Sequence, residues 1–118
     1  MDIELYRNYC LSKKCVTEGF PFSNLPSLLV FKVAGKIFAV ADLDTFESIG
    51  IRCNPLTIDE LRTQYAAMQN PPYFRDRHWT LIVMDQTIPD KLLLEWVDNS
   101  YVLALETLAK KVRMELSL

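Results

Sequence analysis

The chain has 118 residues, of which 50% are apolar, 11% aromatic and 24% charged, a composition that fits one globular domain over residues 1–118 and argues against disorder. Thirteen Lys and Arg against fifteen Asp and Glu give a formal charge of −2, which excludes a strongly basic nucleic-acid module and a polybasic membrane binder. A single histidine excludes His-rich metal sites and two-histidine catalysis.

The opening MDIELYRNYC carries acids in its first turn and no apolar run, so it does not read as a signal peptide. No window approaches the apolar length of a membrane span. Cys10, Cys15 and Cys53 are sparse and include no C-x-x-C pair, which fits free thiols in a reducing compartment. A cytoplasmic location without metal or cofactor is expected.

In the first segment, Ile3, Tyr6 and Cys10 fall at helical spacing, with Asp2 placed to cap the N-terminus and Lys13-Lys14 beyond the C-terminus. Gly19 to Pro26 breaks the helical pattern with a glycine and two prolines, and Phe20 and Phe22 are expected to pin that loop to the core. The run LLVFKVAGKIFAVADL predicts a β-hairpin turning at Ala34-Gly35. Strict alternation would then pair Phe31 with Phe38 and Leu29 with Val40. One face would hold Leu29, Phe31, Val33, Phe38 and Val40; the other would hold Val30, Lys32, Ile37, Ala39 and Ala41.

SIGIRC over Ser48 to Cys53 predicts a third strand, and Thr57 with Glu60 reads as a capping box opening a helix through about Met68. Asn70-Pro71-Pro72 stops that helix. An extended piece at Tyr73-Phe74 and a strand from Trp79 to Asp85 predict a second hairpin. A last helix starts at Ile88-Pro89-Asp90 and runs to about Glu115, with Leu93, Val97, Tyr101, Leu105, Leu108 and Val112 as its buried stripe. Lys110, Lys111 and Arg113 would then complement the end of its dipole. The predicted order is α-β-β-β-α-β-β-α, an α+β two-layer sandwich with an antiparallel-rich sheet.

Chemical motifs are few. Glycines stand only at 19, 35 and 50, so no phosphate-cradling loop is formed. His78 is the sole imidazole base, and no G-x-S-x-G elbow accompanies it. Asp42, Asp44 and Glu47 read as a solvated acidic turn, with weak cation binding as the alternative. The stretch Tyr73-Phe74-Arg75-Asp76-Arg77-His78-Trp79 interleaves rings with guanidinium groups, a mixture that stacks on bases and pairs with phosphates. The favoured reading of the stretch is a hairpin whose aromatics are core and whose arginines pair with nearby carboxylates.

Several ordered strings resemble the MmcQ/YjbR family of small bacterial proteins: YCLSKKCVTEGFPF, LVFKVAGKIFAV, IRCNP, RHW, and WVDNSYVLALETLAKKVR. The resemblance implies a two-layer α+β fold similar to CyaY and to secretion chaperones. It also implies DNA binding through a double-wing arrangement of hairpins. The family's two lysines before His-Trp are here Asp76 and Arg77, one cation fewer; its Lys-Cys-Asp-Pro is here Arg52-Cys53-Asn54-Pro55.

Two readings follow, both non-enzymatic. In the first, Lys32, Lys36, Arg52, Arg75 and Arg77, with His78 and Trp79, form a nucleic-acid surface. In the second, Val30, Ile37 and Ala39, with Ala41, form an uncovered apolar face that receives a protein partner or a second copy. Neither reading involves a membrane.

Overall fold

The computed structural model describes residues 1–74 and 76–118. Its elements run α1 (Ile3–Leu11), β1 (Val16–Gly19), β2 (Leu28–Val33), β3 (Lys36–Asp42), β4 (Ser48–Arg52), α2 (Ile58–Gln64), β5 (Met68–Gln69), β6 (Trp79–Val83), α3 (Asp90–Glu106) and α4 (Lys110–Leu116). The strands form one six-stranded antiparallel sheet in the order β1-β2-β3-β4-β6-β5. The α+β class and antiparallel sheet are as expected, with one more strand and one more helix than the sequence suggested.

Each difference has a local cause. The carboxylate of Asp2 caps α1 as expected, accepting from the Leu5 N–H at 2.8 Å. Thr57 does not close a capping box; its hydroxyl turns back to donate to the Asn54 carbonyl at 3.1 Å. Helix α2 ends at Gln64, where Tyr65 becomes extended, and Met68-Gln69 become the partner of β6. Tyr73-Phe74 are not a strand, because Pro71 and Pro72 lack the N–H groups a ladder needs. The last helix breaks after Glu106, where the Thr107 hydroxyl donates to the Ala104 carbonyl at 2.6 Å and Ala109 is extended. Lys110 and Lys111 therefore open α4 rather than closing a long helix, and they do not complement a C-terminal dipole.

The central hairpin turns at Ala34-Gly35, both at positive φ (47° and 84°), the conformation that matches strand twist in a two-residue loop. Its register then departs from strict alternation. Lys32 faces Ile37, but Phe31 faces Ala39, so Phe38 is a bulge residue. Phe38 and Ala39 both enter the helix-side core, and every later position of β3 changes face. Val40 joins Leu28 and Val30 on the opposite side, while Ala41 joins Leu29 and Phe31. Phe38 packs edge-on against Tyr101 of α3 at 5.3 Å.

A bulge leaves strand groups unpaired, and α3 supplies the replacement. Ser100, fully buried, donates to the Phe38 carbonyl at 2.5 Å and accepts from the Arg52 N–H at 2.7 Å. Its hydroxyl thus bridges β3 and β4 where their ladder fails. The buried side of α3 is Leu93, Val97, Ser100, Ala104 and Leu105, so Tyr101 sits at the margin rather than on the expected stripe. Ser100→Ala should cost about 1–3 kcal/mol, because it strands a donor and an acceptor in a dry layer. An unchanged urea midpoint in the variant would contradict this.

The core also carries ionisable groups that must stay neutral. Burial pushes the Cys10 thiol from its ordinary 9.0 up to about 12, and burial likewise raises the Tyr6 phenol. The unfolded thiol ionises first, so stability is full below pH 9 and falls as pH rises from 9 toward 12. Urea titrations at about pH 8 and about pH 10.5 should show a lower midpoint at the higher value.

Candidate functional site

The sheet face away from the helices is where the sequence placed both of its readings. Cross-strand pairing arranges that face in rows. One row runs Gly19, Val30, Val40, Gly50 and Leu81; the next runs Thr17, Lys32, Ile37, Arg52 and Trp79. Lys32 and Arg52 therefore flank Ile37 from the two neighbouring strands, about 10 Å apart. Lys36 is exposed beside the hairpin turn.

The first row is not open. Phe22, Leu25, Tyr73 and Phe74, from loops before β2 and before β6, pack over Leu28, Val30 and Val40. Gly50 permits this: a Cβ there would lie 2.6 Å from the Tyr73 hydroxyl and 2.6 Å from Val40 Cγ2. Val30 is 1% exposed, and Ala39 and Ala41 lie on the helix side. The uncovered apolar face expected from Val30, Ile37, Ala39 and Ala41 does not exist as a unit; only Ile37 remains partly exposed. Phe22 pins its loop as expected, but Phe20 is 49% exposed.

The expected cations have unequal freedom. Arg77 is exposed and forms an ion pair with Asp59 at 2.7 Å. His78 is exposed; its N–H donates to the Asp76 carboxylate at 2.7 Å and its carbonyl accepts from the Cys53 N–H at 2.6 Å. Trp79 is buried, its ring 4.5 Å from Phe74 and overlain by the Arg52 guanidinium at 5.1 Å, so its face is not free for a base. Arg75 lies outside the described residues.

Arg52 is the best positioned of the set. Its Nε donates to the Ile37 carbonyl at 2.7 Å, and with the Trp79 stack this fixes the plane of the guanidinium. Burial lowers its pKa from the ordinary value, an effect opposed by the Asp76 charge. Among the described residues it has no carboxylate partner within ion-pair distance. Arg52 also lines an open cleft of about 300 Å³, together with Asn54, His78, Leu103, Thr107 and the acidic Glu106. A half-buried, immobilised and unpaired guanidinium has donors available for an oxyanion.

A family model described as YjbR matches residues 11–103. The chain belongs to the YjbR family. Uncharacterized protein YjbR from Escherichia coli is 24% identical over 114 residues, covering 96% of this chain and 95% of its own. The crystal structure of Deinococcus radiodurans protein DR2400, domain DUF419, superposes with a TM-score of 0.89 at 28% identity, covering 98% of this chain and 88% of that one. A Pseudomonas syringae protein superposes at 0.73 with 15% identity, covering 88% of this chain and 99% of its own, a likeness of fold alone.

Asp42 accepts from the Asp44 N–H at 3.0 Å, which closes the acidic turn after β3. Among the described residues, no three His, Cys, Asp or Glu side chains are grouped to hold a metal ion, and no helix is long and apolar enough to cross a membrane. Cys10 and Cys53 are buried and Cys15 is exposed.

The sequence reading did not anticipate Ser100 or the pairing of Gly50 with Tyr73. A serine three residues from Val97 and four from Ala104, on the apolar side of α3, was the available signal for the first. The second joins residues far apart in sequence and left no local trace. Gly50→Ala should lift Tyr73 off the sheet and cost about 1–3 kcal/mol of overpacking. Urea denaturation followed by the fluorescence of Trp79 and Trp96 would measure it, and a neutral result would mean that the loop shifts without cost.

Proposed function

We propose that this chain is a non-enzymatic module that binds the phosphate backbone of nucleic acid at the hairpin end of the sheet, through Lys32, Lys36 and Arg52. The observation that supports this is Arg52, held flat by Trp79 and the Ile37 carbonyl and left without a carboxylate partner among the described residues. Lys32 and Lys36 stand on the same hairpin and extend the positive charge around Ile37. Arg77 contributes little in this reading, because Asp59 neutralises it, and Trp79 orients Arg52 instead of stacking on bases.

The cations act against a formal charge of −2, so binding is weak and strongly salt-dependent. Three phosphate contacts imply a log–log salt slope of about −3 on duplex and about −2 on single strands. Anisotropy titrations with both kinds of oligonucleotide from about 50 mM salt upward test this. Lys32→Glu and Lys36→Glu should each weaken binding by tenfold or more, whereas Arg77→Ala should leave it nearly unchanged. No binding at the lowest salt, or equal effects of all three variants, would sink the proposal.

The second reading, a protein partner, is favoured by a different feature. Edge strand β1 ends beside Phe20, 49% exposed, and a neighbouring chain added to that edge would cover the ring.

A further inference from the structure

The two loops that cover the sheet do not meet flush. Between them lies a cleft of about 360 Å³ walled by Phe22, Asn24, Leu25, Pro72, Tyr73 and Phe74. It continues, through the shared Asn24, Leu25, Pro72 and Tyr73, into a second space of about 290 Å³ floored by Asp42, Ser48 and Leu81. Each part is at the lower limit of small-molecule pockets, and together they hold a molecule of one or two rings.

The walls present ring faces and proline edges, which suit a flat apolar body. Phe74 lies 6.1 Å from Phe22 and 5.0 Å from Tyr73, so three rings are already arrayed edge to face around the opening. The floor is polar and incompletely used. Asp42 gives one carboxylate oxygen to the Asp44 N–H at 3.0 Å, and among the described residues its other oxygen has no donor. The Ser48 hydroxyl, the Tyr73 hydroxyl and the Asn24 amide likewise make no hydrogen bond among the described residues, and all three residues line the cleft. Burial, with the Asp42 charge as a smaller contribution, pushes the Tyr73 phenol up to about 12, so it stays a neutral hydroxyl at ordinary pH.

Among the described residues, Asp42 is the only charged side chain along these walls. A carboxylate at the floor of an aromatic cleft selects a donor and repels an anion. We infer that this cleft is a binding site for a small aromatic molecule that carries an ammonium or ring N–H group, the ring between Tyr73, Phe22 and Leu25 and the nitrogen on Asp42. The site is separate from the Lys32–Arg52 corner and opposite to it in charge preference.

The test uses benzylamine, tryptamine and benzimidazole as probes, with indoleacetate as the anionic counter-probe, followed through amide NMR spectra of the isotopically labelled protein. At least one nitrogen probe should produce saturable shifts at Asp42, Ser48, Gly50, Tyr73 and Leu81, and indoleacetate should not. Asp42→Asn keeps the turn acceptor for Asp44 but removes the charge, and should weaken binding about tenfold or more. Ser48→Leu fills the floor and should abolish binding while amide shifts elsewhere stay native. Failure of all three nitrogen probes to saturate overturns the proposal. Equal binding of indoleacetate, shifts centred elsewhere, or no effect of Asp42→Asn would overturn it as well.

Discussion

Phe38 occupies one more position in β3 than the opposing strand can match, and that extra residue decides what faces where. Without it, Phe38 and Val40 would share a side, and Ala39 and Ala41 would face the loops. With it, two alanines lie under α3, so the helix packs on a low surface, and the larger Phe38 ring stands against Tyr101. The defect would be expensive if its polar groups were stranded. Ser100 resolves this by placing one hydroxyl between the Phe38 carbonyl and the Arg52 N–H. Sheet register, helix docking and the end of β4 therefore depend on a single buried side chain.

The same register fixes the other face. Val40, shifted to that side, meets Val30 and Leu28, and an apolar row so exposed would be an association hazard in water. The chain covers it with two loops rather than a second layer of helices. Gly50 is what lets Tyr73 lie against the sheet. Coverage by loops leaves the end of the hairpin bare, and there the row changes from apolar to cationic: Lys32, Ile37, Arg52. The negative overall charge and the local positive corner are compatible because screening limits each to about 8–10 Å at ordinary salt.

The elements with strong local signals were legible in the sequence. The Asp2 cap, the Ala34-Gly35 turn, the Trp79 strand and the start of the last helix at Pro89-Asp90 are all dictated by neighbours in the chain. The bulge was not, because KIFAVAD is apolar at nearly every position and either parity satisfies its periodicity. Strand β1 escaped notice since VTEG has neither length nor alternation, and β5 since its two residues continue a helical pattern. At the candidate corner, residue types indicated which side chains carry charge, and only the fold could show which remain available. Arg77 meets Asp59 from a helix eighteen residues earlier, and Trp79 disappears under Phe74 and Arg52.

The corner proposed for phosphate and the cleft proposed for a nitrogen donor are joined by one line of rings. Arg52 lies on Trp79 at 5.1 Å, Trp79 meets Phe74 at 4.5 Å, and Phe74 meets Tyr73 at 5.0 Å. Contact of this kind is not coupling; coupling needs an element with two arrangements that both sites bias. Tyr73 is the residue in the line that has the means, because it is held on Gly50, Val30 and Val40 by packing and its hydroxyl is tied to no partner among the described residues. Trp79 is fixed in a strand and Arg52 is fixed by the Ile37 carbonyl, so neither can move far without breaking the sheet. A ligand that lifts Tyr73 would reach Arg52 only by displacing Phe74, and any effect on phosphate binding would have to be matched by an equal effect of phosphate on the ligand.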